Sequence, residues 1–374
     1  MLFFFRSIFI QIFLNAFISY RIWKSRDLSK FWKYALITIY VAEALMYFTG
    51  LLAMHKLPVE IFGIIVKISG IWSIYQIYLT TLILTFDLVF YLKRSSNYFY
   101  KFREKQIRRV KITCFLCINI FIWISLVVSY HNFLNPIVKK YDFSFNNRNS
   151  VQTCKILIAS DLHLGYIINK RMLNKYVDLI NSQHPDIIVF IGDLIDWDMR
   201  PLIETGMQDD LRKIKASKGV YFVTGNHEYK LVDIETKLDW IAESGMTILK
   251  DTIENIDNKL WLIGRDDKDN KKRKSMDELM KGFDTSKPCI MLAHRPSDIK
   301  DACEYNIPLN ICGHTHAGQI FPANLFYRLF FSRSYGWSDK NGCCSYTTSG
   351  LGVSGFPLRS GSRCEVVVFN IRIY

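Results

Sequence analysis

The repeated paired cysteine spacing of a zinc ribbon or compact disulfide framework is missing from this chain: its nine cysteines are scattered over 374 residues. That excludes a zinc ribbon or a disulfide-stapled scaffold as the organising principle. Cys114 and Cys117 do form a C-x-x-C pair, but it lies in an apolar stretch where helical packing explains it better than redox chemistry. Cys343 and Cys344 fall in an expected loop, where pairing with another cysteine stays open. No internal repeat or low-complexity tract is present, so a solenoid is excluded. Acidic residues are also few, 34 against 48 Lys and Arg, for a formal net charge of +14. A balance this basic could mark a nucleic-acid binder, yet its distribution argues otherwise. Residues 1–150 hold 19 basic and 6 acidic side chains, while 151–374 hold 29 and 28. The excess sits in the apolar half, where it fits loops at a membrane, and no nucleic-acid groove is expected on the second half.

Apolar stretches near 2–20, 34–54, 61–92 and 112–130 are read as about four transmembrane helices, giving an all-α anchor over 1–130. The first is interrupted by Arg6, and only the last three are clearly long enough to cross. No small-residue cleavage site follows it, and Arg21, Lys24 and Arg26 come directly after, so it is expected to stay attached. The connections 21–33 and 93–111 are strongly basic and should be cytoplasmic, whereas the turn from His55 to Glu60 is nearly neutral and should face outward. The chain would then be integral to the cell membrane, with the second half extracytoplasmic. Glu43 and Asp87, within the apolar stretches, are expected to make interhelical or interfacial polar contacts rather than an ion path.

Residues 131–152, including Asn146, Asn147, Arg148 and Asn149, are polar and read as a linker. From 153 to 374 short Val- and Ile-rich runs alternate with amphipathic stretches, the pattern of an α/β domain. Strands are expected at 155–160, 187–191, 220–224, 247–250, 259–263, 288–293, 308–312, 344–348 and 364–371, with helices at 168–182, 205–217 and 235–245.

Five short blocks follow apolar runs in order: Asp161-Leu162-His163, Gly192-Asp193-Leu194-Ile195-Asp196, Gly225-Asn226-His227-Glu228, His294, and Gly313-His314-Thr315-His316. Strand ends of an α/β sheet converge on one rim, so residues far apart in sequence can meet there. Five of the eight histidines lie in these blocks, and His55, His131 and His184 lack such context. Asp, His and Asn without thiolate suit pairs of Mn, Fe or Zn ions. The Lys271-Lys272-Arg273-Lys274 run is read as a solvated loop.

The blocks resemble the calcineurin-like metallophosphoesterase superfamily: D-x-H, G-D-x-x-D, G-N-H-E, H and G-H-x-H are all intact over about 153–372. The text from Gly313 to Pro322, and Gly355-Phe356-Pro357-Leu358-Arg359, is similar to a membrane-tethered subgroup. The resemblance implies a layered α/β/β/α sandwich and two divalent metal ions. Asp161, His163, Asp193 and His316 would hold one ion, and Asn226, His294 and His314 the other, with Asp193 bridging. It also implies phosphoester hydrolysis by a hydroxide shared between the ions. His227 would be the general acid, oriented by Asp196, and Glu228 would support the centre from behind. Arg359 is a weaker candidate for a phosphate contact.

Substrate is open at this level. The aromatic segment from Phe321 to Trp337, flanked by Arg328 and Arg333, is either core packing or a surface for a bilayer or acyl chain. A lipid-linked phosphoester, a soluble nucleotide or phosphodiester, and a catalytically silent membrane sensor are the three functions to separate. The sequence is silent on oligomeric state.

Overall fold

The computed structural model describes residues 2–53, 56–95, 104–145, 152–330, 333–340 and 343–373. Asn146 to Asn149, His55 and Phe331 lie outside them. The chain divides into two compact units, Met1–Ser129 and Tyr130–Tyr374.

The first unit is helical: α1 (Leu2–Lys24), α2 (Lys30–Ala53), α3 (Val59–Ser95) and most of α4 (Glu104–Leu134). Lys30–Ala53, Val59–Leu92 and Arg108–Leu134 are long and apolar enough to cross a membrane; α1 is not among them. Polar side chains tie α1 to its neighbours. Gln11 Nε2 donates to both oxygens of the buried Glu43 carboxylate (3.0 and 2.9 Å), and Gln76 Nε2 donates to Asn15 Oδ1 (3.0 Å). Arg21 pairs with Asp87 (2.7 Å). These are the interhelical polar contacts expected of Glu43 and Asp87; in hydrocarbon they keep polar groups from being left unsatisfied.

The second unit contains β1 (Ile137–Phe145), β2 (Gln152–Ala159), α5 (Lys170–Asn181), β3 (Ile187–Ile191), α6 (Arg200–Glu204), α7 (Met207–Leu211), β4 (Val220–Val223), α8 (Ile234–Glu243) and β5 (Thr247–Ile248). It continues through β6 (Thr252–Ile256), β7 (Leu260–Gly264), α9 (Met276–Leu279), β8 (Cys289–Leu292), α10 (Ile299–Glu304), β9 (Leu309–Cys312), α11 (Ala323–Phe330), β10 (Gly336–Lys340), β11 (Cys343–Thr347) and β12 (Glu365–Ile373). Two six-stranded sheets result, ordered β1-β12-β2-β3-β4-β5 and β10-β11-β9-β8-β7-β6. Ile156, Ile158, Val189 and Phe369 of the first sheet pack against Leu262, Ile290, Ile311 and Tyr346 of the second in one core. Alternate residues face the other way: Ile263 and Met291 meet Ile299 and Ala302 of α10. This is the period-2 logic of strands applied to a sheet covered on both faces. α5 shows the helical counterpart, burying Met172, Leu173, Tyr176, Val177 and Ile180 on one stripe, with Asn169 capping the Met172 N–H. The second unit is thus a mixed α/β arrangement of two packed sheets, preceded in the chain by the helical region.

Two expectations need correction. The stretch 131–152 is not simply a linker: its first residues finish α4, and Ile137–Phe145 form an edge strand paired parallel with β12. Tyr141, Phe143 and Phe145 alternate with exposed Lys140, Asp142 and Ser144 and pack on the inter-sheet core. That alternation is a strand signal hidden by the polar residues of the outer face. The helix expected over 205–217 is realised only as the short α7, and Gly206, in a left-handed conformation, separates it from α6, which precedes the expected range. Cys343 opens β11 and forms a disulfide with Cys303 at the end of α10. Cys114, Cys117 and Cys344 are free thiols.

Candidate metal centre

The five blocks converge on one rim. Asp161 and His163 follow β2, Asp193 follows β3, Asn226 follows β4, His294 follows β8, and His314 and His316 follow β9. β2, β3 and β4 are mutually parallel, as are β8 and β9, so their carboxyl ends open on the same side of each sheet. Asp161, His163, Asp193, His314 and His316 all have φ between +50° and +72°. Backbone strain of this kind in non-glycine residues persists only where the surroundings fix it, and it gathers at functional sites. Glycine is required beside them: a Cβ on Gly313 would run into Ser160 Oγ and Asp161 Oδ2.

Two triads of metal-ligating atoms form, Asp161–His163–His316 and Asp193–His294–His314, and Asp193 also groups with His163 and His227. Asp193 Oδ2 lies 3.3 Å from His294 Nε2 and 3.7 Å from His163 Nε2, so one carboxylate oxygen faces both triads. His163 Nε2 is 3.1 Å from His316 Nε2, and His314 Nδ1 is 3.2 Å from His294 Nε2. Such separations suit two nitrogens on one ion at bond lengths of about 2.1 Å. The sharpest observation is Asn226 Oδ1, buried with no hydrogen-bond partner among the described residues. An orphaned carbonyl oxygen at this position is costly unless a cation takes it. The donor set therefore fits a pair of divalent ions.

The electrostatics agree. Burial alone would raise the Asp193 carboxyl, but His294, His227 and His163 hold it well below the usual carboxylate range. Burial lowers the His294 imidazole, yet Asp193 and Asp161 outweigh that and push it up to about 10. Burial and the neighbouring His294 push His314 down to about 3. Burial and Arg359 depress His316. His314 and His316 are thus neutral, with lone pairs free for a cation.

His227 sits beside these groups, its Nε2 4.0 Å from Asp193 Oδ2 and its ring edge-on to Trp197. Its Nδ1 lies 3.2 Å from the Asp196 carbonyl and 3.3 Å from Asp196 Oδ1. The Asp196 carboxylate also meets His163 Nδ1 at 3.2 Å. Asp196 is therefore shared between two imidazoles rather than reserved for His227. Glu228 is fully buried and accepts from four backbone N–H groups, those of Asp193, Leu194, Ile195 and Gly225.

Arg359 is a correction. It is fully buried, and its fork is spent inside the protein: Nη1 donates to His316 O and Ser362 Oγ (both 2.8 Å), and Nη2 donates to Gly352 O. Nη2 also faces His316 Nδ1 at 3.1 Å. It holds His316 in place and cannot reach a substrate. Lys237 was missed. Buried completely on α8, it donates to the carbonyls of His227 and Lys230 (both 2.8 Å), fixing the turn that carries His227. Its signal was a charged residue on the apolar stripe of Ile234, Leu238 and Ile241. Ser160, which bonds Asp161 Oδ2 and Ile191 O, left no signal beyond preceding the first block.

Set against known proteins, residues 154–318 match the model of the calcineurin-like phosphoesterase family. A transmembrane protein with metallophosphoesterase domain from Danio rerio is 31% identical over 234 residues, covering 58% of this chain and 53% of that one. An uncharacterised metallophosphoesterase of Helicobacter pylori is 33% identical, covering 58% and 59%. Another, from Aquifex aeolicus, is 31% identical over 242 residues, covering 63% of this chain and 91% of its own length. This chain belongs to the calcineurin-like metallophosphoesterase family. It spans little more than half the length of the Danio rerio and Helicobacter pylori relatives. Three of its helices are long and apolar enough to cross a membrane, and the Danio rerio relative is named a transmembrane protein.

Proposed function

We propose that the protein hydrolyses a phosphodiester or lipid-linked phosphoester at the membrane surface, using two divalent ions held by Asp161, His163, Asp193, Asn226, His294, His314 and His316. The observation that carries the reading is the buried, unpartnered Asn226 Oδ1 beside a carboxylate facing both triads. When bound, the ions supply Lewis acidity and a water acidic enough to act as nucleophile near neutral pH. The chain's own residues do the rest. His227 directs Nε2 toward the centre while Nδ1 is engaged by Asp196, so a proton on Nε2 is available to the leaving-group oxygen. Asp196 holds the ring orientation, and Lys237 holds the backbone beneath it. Mn, Fe and Zn all remain compatible with this donor set.

We further propose that the metallophosphoesterase unit faces the extracytoplasmic side. The basic connections 21–33 and 93–111 support this, and so does the Cys303–Cys343 disulfide, since such bonds persist in oxidising compartments. A reporter active only in the cytoplasm, fused after Tyr374, should stay silent; a signal would reverse the orientation.

The decisive test is hydrolysis of an aryl phosphodiester by purified protein loaded with Mn. Asp193→Ala and His294→Ala should each abolish turnover, and robust activity in either would sink the two-ion assignment. Hydrolysis of a soluble nucleotide or phosphodiester, with the anchor giving location only, is the second reading. It is favoured if soluble and micellar substrates are turned over alike.

A further inference from the structure

The exposed large apolar side chains of the second unit are not spread evenly among the described residues. Ile203, Leu231 and Trp337 stand singly, whereas Leu325, Phe326 and Leu329 lie together on α11. Their spacing, i, i+1 and i+4, puts them on one face of the helix. Leu329 is 78% exposed and Phe326 56%, values that a soluble surface rarely gathers on adjacent turns.

The helix belongs to the rim of the metal centre. It starts seven residues after His316, and a Cβ on Gly318 would collide with Asn324 Cα, so α11 packs directly on the turn that carries the ligand. The loop 359–363 ties the helix down: the Phe321 N–H donates to Ser360 Oγ (2.9 Å) and Asn324 Nδ2 to Gly361 O (3.2 Å).

That same loop grips the end of a candidate span. Asn132, in the last turn of α4, donates to Arg359 O (3.1 Å), and Arg363 donates to Asn135 O (3.2 Å). Leu134 is the last residue of the apolar stretch Arg108–Leu134. An extended chain advances at most ~3.3–3.6 Å per residue, so the α11 anchors at Ser360 and Gly361 lie within about 20 Å of Leu134. Only Asn135 and Pro136 separate α4 from β1. An interfacial helix buries its apolar face about 5–10 Å into the headgroup and acyl boundary, which is within that reach.

From this we infer that α11 seats Leu325, Phe326 and Leu329 in the bilayer interface, so that the metal centre takes its phosphoester from lipid headgroups presented there. The occupant is the membrane in which the chain is anchored, and the substrate class follows because the turn carrying His316 and the docking helix share one support. The substrate part rests on the proposed phosphoesterase reading; the docking part does not.

The test uses the full chain in nanodiscs of mixed zwitterionic and anionic phospholipid. A photo-crosslinking residue at position 326 or 329 should give lipid adducts, and one at position 203 should not. Adducts to protein, or none at either position, would overturn the docking. In parallel, the triple variant Leu325→Ser, Phe326→Ser, Leu329→Ser should keep its metal and hydrolyse a soluble aryl phosphodiester within about twofold of the parent. Its turnover of a bilayer-embedded phosphodiester lipid should fall about tenfold or more. Equal loss on both substrates, or on neither, overturns delivery from the bilayer. If the parent hydrolyses neither substrate, the phosphoesterase reading fails while the crosslinks still decide the docking.

Discussion

Replacing Glu228 by glutamine exchanges one carboxylate oxygen for an NH2 group in a pocket built wholly of donors. Oε2 accepts from Asp193 N (3.0 Å) and Gly225 N (2.8 Å), and Oε1 from Leu194 N (3.0 Å) and Ile195 N (3.3 Å). Whichever way the amide turns, two buried N–H groups meet another donor. The cheaper choice gives up the Oε1 pair, whose bonds are longer. A hydrogen bond to a charged group contributes about 1.5–3 kcal/mol, so two of them, one stretched, come to about 3–4 kcal/mol.

The loss falls on Leu194 and Ile195, the turn directly after the shared Asp193. Removing a partner that orients metal ligands typically weakens metal affinity about 10–100-fold, which is about 1.4–2.8 kcal/mol and fits inside the local loss. The assay is metal retention by the detergent-solubilised full chain during titration with a chelator. Glu228→Asp keeps the charge but is one methylene too short to span both pairs, so it should weaken binding as well; that separates geometry from charge. Glu278→Gln, altered in the exposed capping box of α9, serves as the control and should leave affinity unchanged. Affinity within twofold of the parent in Glu228→Gln would refute the reasoning, because the four N–H bonds would then not be positioning the ligands.

Further outcomes follow from the same geometry. His227→Ala should keep its metal yet lose about 10²–10⁴-fold in turnover, most for substrates with poor leaving groups, as a loss of general acid requires. Lys237→Met leaves two carbonyls without their donor and should lower kcat with little change in metal content; loss of metal instead would show that Lys237 supports the fold rather than His227. Metal affinity should rise with pH between 6 and 9 in a chelator titration, because in the metal-free protein His294 is raised to about 10 and must release its proton to bind. The sign for the metal-free fold is opposite. A histidine raised above its ordinary value adds stability that is fully present below about 6.5. That stability is lost as pH climbs through about 10, so the metal-free protein should unfold more readily at alkaline pH.

The candidate ligand blocks, which the fold brings together, were legible because metal-binding chemistry writes itself locally. Asp161 and His163, or His314 and His316, must reach an ion from one sharp turn, which forces short spacings and adjacent glycine. The strands feeding those turns were legible for a related reason: buried on both faces, Ile187–Ile191 reads as a continuous apolar run. β1 did not, since its outer face is polar and its partner β12 lies more than two hundred residues away. Asp196 was half legible; its nearness to His227 was readable, but its second partner His163 comes from another block.

Arg359 and Lys237 were obscure, and the partners of Glu228 unreadable, for one cause. Each engages backbone: Arg359 the carbonyls of His316 and Gly352, Lys237 those of His227 and Lys230, Glu228 four N–H groups. A backbone partner has no identity in sequence, so a charged residue bound to one looks the same as a charged residue aimed at substrate. For Arg359 that ambiguity produced the wrong role. Burial resolves it, because a guanidinium with no exposed surface, its Nη1 and Nη2 engaged by His316, Ser362 and Gly352, is shut away from a phosphate. It follows that Arg359→Lys should act through His316, not through substrate. An ammonium cannot span the carbonyls of His316 and Gly352 in one plane, so metal retention should fall while KM for whatever is hydrolysed by the loaded fraction stays put. A raised KM with metal intact would restore Arg359 to the substrate side.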